Sequence, residues 1–353
     1  MSHELSKTRR AVPARQRRLS VRARGLTLLE LVVVLVILAA LGTVMITQTA
    51  GLTGEARYEQ TVRTLEQVED AVVGRQPVGG EDPTAIPPGF VSDMGRLPEA
   101  VADGASFTLA ELWDSSLFEA ALPADELFFG PRILEGLDED LEMFSGWRGP
   151  YVRLPLGSSE LRDGWGGEYE LEDGAGGIVT AAGDAIGSVQ SNGTGLGDTF
   201  DPNLPLEVIL LDTSQGIDRV TGVMPVDSLT VEYALPAAAT DVQGVVRLYG
   251  IANGEPVLLL QSEVFTGVPG TTTSVAVVFD DPAAPGTPLT TLSAVIGPKV
   301  LRAYQFDSTM APPTDATDPL ANLTSRTKSA PLRFTMPAGG LGVLPTPLSL
   351  EGS

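Results

Sequence analysis

The sequence from Leu26 to Ile46 reads LTLLELVVVLVILAALGTVMI, and it decides the first part of the fold. Its 21 residues include a single charged side chain, Glu30. Because a helix rises ~1.5 Å per residue, this run spans about 30 Å, which matches the hydrocarbon core of a bilayer. The segment therefore predicts an apolar helix long enough to cross a membrane.

A basic tail precedes this segment, and an acidic body follows it. Residues 1–25 hold eight Lys and Arg side chains but only one acidic residue, whereas the remaining chain holds 15 basic and 44 acidic residues, a net charge of -29. The positive-inside rule predicts that the tail stays in the cytoplasm and that the body lies outside. Because an acidic body repels phosphates, we do not expect nucleic acid as a partner.

Three interpretations of this N-terminal region remain open on its physical features. A cleaved secretory signal peptide would explain a basic and then apolar sequence, and small residues such as Ala39 and Gly42 would suit cleavage. A plain membrane anchor would leave Glu30 unexplained, because a carboxylate inside a bilayer costs about 2.5–3.5 kcal/mol or more. A helix that packs against neighbouring helices gives the carboxylate a role.

The third interpretation is supported by a resemblance. The sequence GLTLLE at 25–30 resembles the prepilin peptidase site of type IV pilins and type II secretion pseudopilins. Gly25, Glu30 and the basic leader match that pattern, whereas Leu26 stands where Phe is usual. The resemblance implies cleavage between Gly25 and Leu26, N-methylation of Leu26, and a single-pass inner-membrane subunit that assembles into a filament.

Glu30 then has a physical role in assembly. Cleavage would give Leu26 a free cationic amine, and Glu30 lies one helical turn farther along the chain. In a staggered bundle, the carboxylate of one subunit would pair with the amine of its neighbour, and pairing offsets most of the burial cost. We expect this pair to set the axial register between subunits.

The helix is predicted to continue beyond the apolar segment. Residues 52–73 place Leu65, Val68 and Val72 at three- and four-residue spacing, opposite a charged face. The Gly- and Pro-rich sequence at 74–89 predicts that the helix ends there.

Two aromatic segments characterise the region after the helix. DGWGGEY at 163–169 resembles the D-P-W-G-x-P-Y segment of the major pseudopilin, with Gly164 in place of Pro, and GWRGPY at 146–151 resembles a companion segment upstream. Gly-rich turns with Trp165 and Tyr169 at alternating spacing predict a hairpin whose aromatic side chains cover the helix.

A calcium site is implied by the same resemblance, because the major pseudopilin binds calcium in a loop after its sheet. The candidate oxygen ligands here are Asp184, Asn192, Asp198 and Asp201. A solvated acidic loop is the alternative interpretation of these residues. Apart from calcium, no cofactor is expected.

The C-terminal part predicts an all-β domain. Eight β-rich runs are separated by Pro, Gly, Asp and Asn, and they lie at 206–212, 228–235, 244–252, 256–265, 272–280, 290–297, 299–306 and 330–336. This spacing favours an immunoglobulin-like sandwich. Alternation of Val245, Arg247 and Tyr249 with Val246 and Leu248 predicts one buried and one wet face.

Together these observations predict an α+β chain, with a long N-terminal pilin helix packed on a small antiparallel sheet and followed by the sandwich. The expected divisions are a cleaved leader at 1–25, the helix at 26–73, a pseudopilin-like body at 74–204, the β domain at 205–340 and a flexible tail at 341–353.

The residue inventory argues against an enzyme. The chain has no Cys, and its single His lies at position 3 in the leader, so thiolate chemistry and histidine bases are excluded from the processed chain. A structural subunit of a pilus or of a secretion pseudopilus is the leading hypothesis, and its expected partners are homologous subunits and prepilin peptidase. The alternative is an adhesin module carried on the same anchor.

Overall fold

The computed structural model describes residues 28–74, 89–119, 129–134, 138–193, 206–226, 229–234, 242–267, 272–281, 284–307, 328–337, 341 and 348–351. At 44–51, among other positions, the description covers the backbone alone. Few helices and many antiparallel strands in small sheets make up these residues, so the fold is mixed α+β with a large β portion. Contacts divide the chain into two units, at 1–54 and at 55–353.

Helix α1 runs from Leu28 to Val73 without a break at Gly51 or Gly54. Its last residue agrees with the end predicted from the Gly- and Pro-rich sequence. In the larger unit, Leu65, Val68 and Val72 are buried as predicted, and Thr61 lies on the same face. This stripe belongs to a core that also contains Trp165.

Short helices and ten strands lie among the described residues that follow α1, up to position 225. The helices are α2 (Phe90–Met94) and α3 (Ser116–Glu119), with one 3-10 turn at Ala110–Leu112. The strands are β1 (Val101–Asp103), β2 (Ser106–Thr108), β3 (Phe129–Leu134), β4 (Asp138–Gly146), β5 (Glu170–Asp173), β6 (Ile186–Ser191), β7 (Leu206–Ile209), β8 (Leu211–Asp212), β9 (Ile217–Asp218) and β10 (Thr221–Pro225).

Strands β5, β6 and β7 form the antiparallel sheet that carries the core against α1, and β3 pairs with β4 as a separate hairpin. The sequence pattern predicts that residues 206–209 belong to the C-terminal domain. They instead pair with Ile186–Ser191, so this strand completes the sheet of the preceding region. Trp165 and Tyr169 pack in the same core as the buried stripe of α1, as predicted. The predicted hairpin is wrong, because residues 163–169 form a turn and contain no strand.

Eleven further strands lie in the described C-terminal residues. They are β11 (Thr230–Ala234), β12 (Val242–Ala252), β13 (Glu255–Gln261), β14 (Phe265–Gly267), β15 (Thr272–Ala276), β16 (Asp280–Asp281), β17 (Ala284–Pro288), β18 (Thr291–Val295), β19 (Gly297–Asp307), β20 (Leu332–Met336) and β21 (Leu348–Glu351). Each of the eight β-rich runs contains a strand, so their prediction is confirmed.

The largest sheet has the order β13-β12-β19-β20, with β14 also paired to β12. A second sheet has the order β15-β11-β21, and β10 pairs with β18. Strand β21 pairs in parallel with β11, in the register Val231 to Leu348. The segment 341–353, which was expected to be a flexible tail, therefore contributes a strand.

The prediction of one wet face on β12 is wrong. Val245 and Tyr249 on one face are fully buried, and so are Val246 and Leu248 on the other. The first face packs against Leu134, Leu141 and Met143 of the β3-β4 hairpin, whereas the second packs in a core shared with β10 and β11. A hairpin from a distant part of the sequence thus covers the face that was expected to meet water.

Candidate functional site

The first sixteen residues of α1 form an apolar surface that is exposed on every side. Each side chain from Leu28 to Leu41 is exposed, and Leu28, Leu35 and Leu38 expose 83%, 61% and 62% of their surface. An amphipathic helix would show one buried stripe, whereas this segment is apolar all round, which is typical of a helix surrounded by lipid or by other helices. We call residues 28–43 the apolar segment.

Polar groups in the apolar segment are few and lie at defined positions. Glu30 is the only charged side chain of the apolar segment. The Thr43 hydroxyl donates to the carbonyl oxygens of Ala39 and Ala40 at 3.2 and 2.8 Å. This local bonding satisfies the hydroxyl inside the helix itself.

The processing residues predicted from the sequence, Gly25 and Leu26, lie outside the described residues. The predicted assembly residue Glu30 is described and exposed. In the part of the chain whose placement is described, no helix meets the length and apolarity needed to cross a membrane.

The turn at Asp163–Gly167 anchors the body to the polar half of α1. The Asp163 carboxylate accepts hydrogen bonds from the backbone N–H groups of Trp165 and Gly167, at 3.0 and 2.6 Å, and from the Ser191 hydroxyl at 2.7 Å. The backbone N–H of Gly164 donates to Thr61 Oγ1 at 2.8 Å. A buried carboxylate with three donors is well satisfied, so it fixes the turn against β6 and α1.

The turn also comes so close to α1 that its backbone restricts position 164 to glycine. A Cβ atom at Gly164 would lie 2.1 Å from the carbonyl oxygen of Arg57 on α1. Proline would place its ring there and would remove the N–H that reaches Thr61. The close approach of two backbones therefore requires glycine at this position.

A buried ion pair organises the GWRGPY segment. Asp93 on α2 is fully buried, and its carboxylate accepts hydrogen bonds from Arg148 Nε at 3.0 Å, from Arg148 Nη2 and from the Tyr151 hydroxyl at 2.9 Å. Burial raises the pKa of Asp93, and the Arg148 guanidinium opposes that rise. Burial also raises the pKa of the Tyr151 hydroxyl. These paired groups hold a structure together and offer no exposed acid for catalysis.

A second bidentate pair supports the same segment from the other side. Arg96 Nη1 and Nη2 donate to the two carboxylate oxygens of Glu111 at 2.8 and 2.7 Å, and the backbone N–H of Glu99 donates to Glu111 Oε2 at 2.6 Å. The indole N–H of Trp147 donates to the Glu111 carbonyl oxygen at 2.7 Å. Sequence reasoning missed these pairs because their members are 15 to 55 residues apart.

The two calcium candidates that the structure describes, Asp184 and Asn192, lie at opposite ends of β6. Asp184 precedes β6 and accepts hydrogen bonds from the backbone N–H groups of Thr180 and Ala181. Asn192 follows β6 and donates to Glu170 Oε2 at 2.8 Å. Eight residues of extended chain separate the two by roughly 26 Å, so one ion cannot contact both.

The other two calcium candidates, Asp198 and Asp201, lie outside the described residues. Among the residues that are described, no group of three or more His, Cys, Asp or Glu side chains is placed to hold a metal ion.

Comparison with known proteins supplies no relative. No protein-family model, no curated protein and no solved structure matches this chain. The features that bear on function are the apolar segment, the packing of α1 on the body and the motif at 25–30.

Proposed function

We propose that this chain is a structural subunit of a type IV pilus-like filament or of a type II secretion pseudopilus. In this proposal prepilin peptidase cleaves after Gly25, Leu26 is N-methylated, and the subunits assemble through α1. The observation that carries the proposal is the apolar segment, whose side chains are exposed on every side and include one carboxylate at Glu30.

Burial of the apolar segment supplies the driving force for both of its proposed locations. Fully burying one Val, Leu or Ile side chain stabilises by about 1.5–3 kcal/mol, and eleven such side chains lie between Leu28 and Leu41. Before assembly the surroundings are the inner membrane, with the body in the periplasm. After assembly they are the helices of neighbouring subunits, which leave the body on the outside of the filament.

The sequence of the apolar segment suits this double role. The apolar run from Leu26 to Ile46 extends beyond the described side chains at both ends. Glu30 is costly in lipid and is stabilised when it pairs with the terminal amine of an adjacent subunit. The difference in free energy between these two states favours assembly over remaining in the bilayer, and it selects one axial offset between helices.

The body supports the proposal through its attachment to α1. A buried stripe on the polar half of the helix and the Asp163–Gly167 turn hold it against a small antiparallel sheet. A filament subunit needs such an attachment, because force and register pass from one helix to its own body. The position of the DGWGGEY segment against the helix agrees with the role that the pseudopilin resemblance implies.

We infer that the C-terminal strands form an immunoglobulin-like sandwich. The sheet β13-β12-β19-β20 and the strands β10, β11 and β15 contribute side chains to one core between them, including Met224, Val231 and Leu248. Two antiparallel layers around a shared core are typical of a sandwich. In the filament this domain would lie on the outer surface.

The test compares Glu30 with a matched carboxylate on the same helix. Glu59 is exposed and pairs with Arg63 within α1, so Glu59→Gln changes the charge without touching the apolar segment. Each variant is expressed with prepilin peptidase and the assembly machinery, and the chain is measured in the fraction of sheared filaments.

We expect Glu30→Ala to lose filaments while remaining in the membrane fraction, and Glu59→Gln to assemble as the unaltered chain does. Assembly of Glu30→Ala at the normal level would overturn the proposed role of the carboxylate.

A further inference from the structure

A cavity of about 360 Å³ lies between β4 of the β3-β4 hairpin and the β19-β20 edge of the largest sheet. It is lined by three consecutive residues from each of these strands, at 142–144, 298–300 and 333–335. Because successive side chains of a strand point to opposite faces, contact with three in a row involves the backbone as well as side chains. We call this cavity the β4 groove. Each of its walls is about 10 Å long, the length of three extended residues.

The floor of the β4 groove is the face of β19 and β20 that the hairpin covers. Val300 belongs to the same core as Met143 of β4, and Arg333 is the cross-strand partner of Val300 and shares its face. Lys299 and Phe334 alternate with these residues, so their side chains point to the opposite face, where Phe334 packs in the core shared with β10 and β11. Of the two cations in the lining, only Arg333 has its side chain on the floor.

Strand β4 presents one edge of its backbone to this groove. Among the described strands β4 pairs only with β3, and the Glu142 carbonyl oxygen accepts a hydrogen bond from Arg333 Nη1 at 2.7 Å. That carbonyl thus points away from β3. The N–H of Glu142 and both backbone groups of Phe144 point the same way, because alternate residues of a strand share one edge. Pro131, which has no N–H to donate, lies opposite Phe144 in the register, in agreement with this assignment.

The side chains around the groove define what a strand beside β4 would meet. Arg333 is exposed and forms no ion pair with a carboxylate in the described part of the chain. Glu142 is also exposed, and Phe144 on the same outer face of the hairpin exposes 47% of its surface. An added strand would therefore meet an acid and an aromatic ring on its outer side and a cation on its inner side.

The charge of β4 argues against a second copy of the same strand as the occupant. Four of the nine residues of β4 are acidic. Two β4 strands paired edge to edge would bring like charges together, which is destabilising and is a common protection of exposed strand edges. A strand of different sequence avoids this repulsion.

We propose that the β4 groove binds an extended segment of a partner protein, which adds a strand to the edge of β4. Backbone hydrogen bonds to Glu142 and Phe144 supply the affinity, and the side chains supply selectivity. An acidic side chain of the segment points inward to Arg333. Its two neighbours, one basic and one apolar, point outward beside Glu142 and Phe144. The proposal does not depend on how the chain assembles, because no residue of the apolar segment takes part.

The probes are two fluorescently labelled, capped peptides, Thr-Lys-Asp-Val-Thr and Thr-Val-Asp-Lys-Thr, which cover both directions of an added strand. The tighter binder is also made with Asn in place of Asp. Two N-methylated forms complete the set, one methylated at the central residue and one at its two neighbours. Because alternate N–H groups of a strand face one edge, only one of these forms loses the bonds to β4. Binding is measured by fluorescence anisotropy on the full chain in detergent micelles.

The variants Glu142→Pro and Glu142→Val separate the backbone of β4 from its side chain. Both remove the carboxylate, but only proline removes the N–H that faces the groove. Because that N–H does not pair with β3, proline at this edge should leave the hairpin folded, and thermal unfolding checks this for each sample. Arg333→Met removes the inward cation and keeps most of the length of the side chain.

We expect Glu142→Pro to bind the peptide about tenfold more weakly than Glu142→Val. On the unaltered chain, one N-methylated form should bind about tenfold more weakly than the other, and this result does not require any variant to fold. The unaltered chain should also prefer Asp to Asn at the central position, and Arg333→Met should lose that preference.

Equal binding of the two N-methylated forms, or equal binding by Glu142→Pro and Glu142→Val, would overturn strand addition. Failure of both peptides to bind the unaltered chain at millimolar concentration would also overturn the proposal. Light scattering without peptide provides the last check. Self-association of the unaltered chain that Glu142→Pro abolishes would assign the groove to a second copy and would overturn the assignment to a partner protein.

Discussion

The apolar segment and the largest sheet, which contains β12 and β19, show opposite relations between polarity and burial. From Leu28 to Leu41 the chain exposes aliphatic side chains on every side of a helix. In the sheet, Arg247 is fully buried and Lys299 is 98% buried. Burial in this chain thus depends on the layers that pack over a residue and not on its polarity alone. The sheet has such a layer on each face, whereas the described apolar segment has none.

The difference between the two regions teaches how each is stabilised. The sheet has a layer on both faces, and its buried Arg247 donates from Nε to Gln261 Oε1 at 2.7 Å. The side chains from Leu28 to Leu41 are exposed, so under the proposed function their burial comes from lipid or from other subunits. Substitutions in the two regions should therefore appear in different measurements.

The largest effect is expected from placing the same charge in both regions. Val246→Asp buries an unpaired carboxylate in the sheet and should reduce the free energy of unfolding by about 4 kcal/mol or more. Val34→Asp in the apolar segment should leave unfolding of the body nearly unchanged but prevent membrane insertion or filament assembly. Urea unfolding and membrane fractionation of both variants test this contrast. Equal destabilisation of the body by Val246→Asp and Val34→Asp would contradict the contrast between the two regions.

A smaller effect of opposite sign is expected at Lys299. Burial lowers its pKa from 10.5 to about 8, so between these values the unfolded chain holds a proton that the folded chain has lost. Stability from this group therefore rises with pH across that window, and the full cost of about 3 kcal/mol applies below pH 8. Lys299→Met should be more stable than the unaltered chain at pH 7.

The stabilisation from Lys299→Met should shrink above pH 8 and vanish near pH 10.5. Urea unfolding curves collected from pH 7 to 10.5 measure it. A gain that is constant across this range would show that packing, and not the buried charge, is responsible.

The attachment between α1 and the body is tested at Gly164. Gly164→Ala places a methyl group 2.1 Å from the Arg57 carbonyl oxygen, and the resulting backbone shift should cost about 1–3 kcal/mol. The matched control is Gly166→Ala, where a Cβ meets nothing within 4 Å but φ is +83°, so its cost should be nearer 1 kcal/mol. Thermal unfolding ranks the two. A larger loss at Gly166 would contradict the close approach of the turn to α1.

Sequence patterns predicted the helix and the C-terminal strands, because the side-chain spacing of one helix or strand is visible within a few residues. The spacing of Leu65, Val68 and Val72 identified the buried stripe of α1, and the β-rich runs identified strands in the C-terminal part. The packing of the β3-β4 hairpin on β12 was not predicted. The two strands of the hairpin pair with each other, but they contact β12 about a hundred residues farther along the chain, and no local pattern indicates that contact.

The same limit applies to the candidate sites. The pair of Asp93 with Arg148 joins residues 55 positions apart, and no local spacing indicates it. Asp184 and Asn192 lie close together in sequence, but an extended strand between them carries them to opposite ends of the sheet. A cavity lined by residues of β4, β19 and β20 also joins segments far apart in the sequence, so only the tertiary fold reveals it.

The central claim is that the apolar segment is the assembly helix of a processed pilin-like subunit. The most direct test is the intact mass and N-terminal fragmentation of the chain purified from cells that contain prepilin peptidase. The account predicts a chain that begins at Leu26 and carries one methyl group on its terminal amine. A chain that retains its leader, or that begins at any residue other than Leu26, would contradict it.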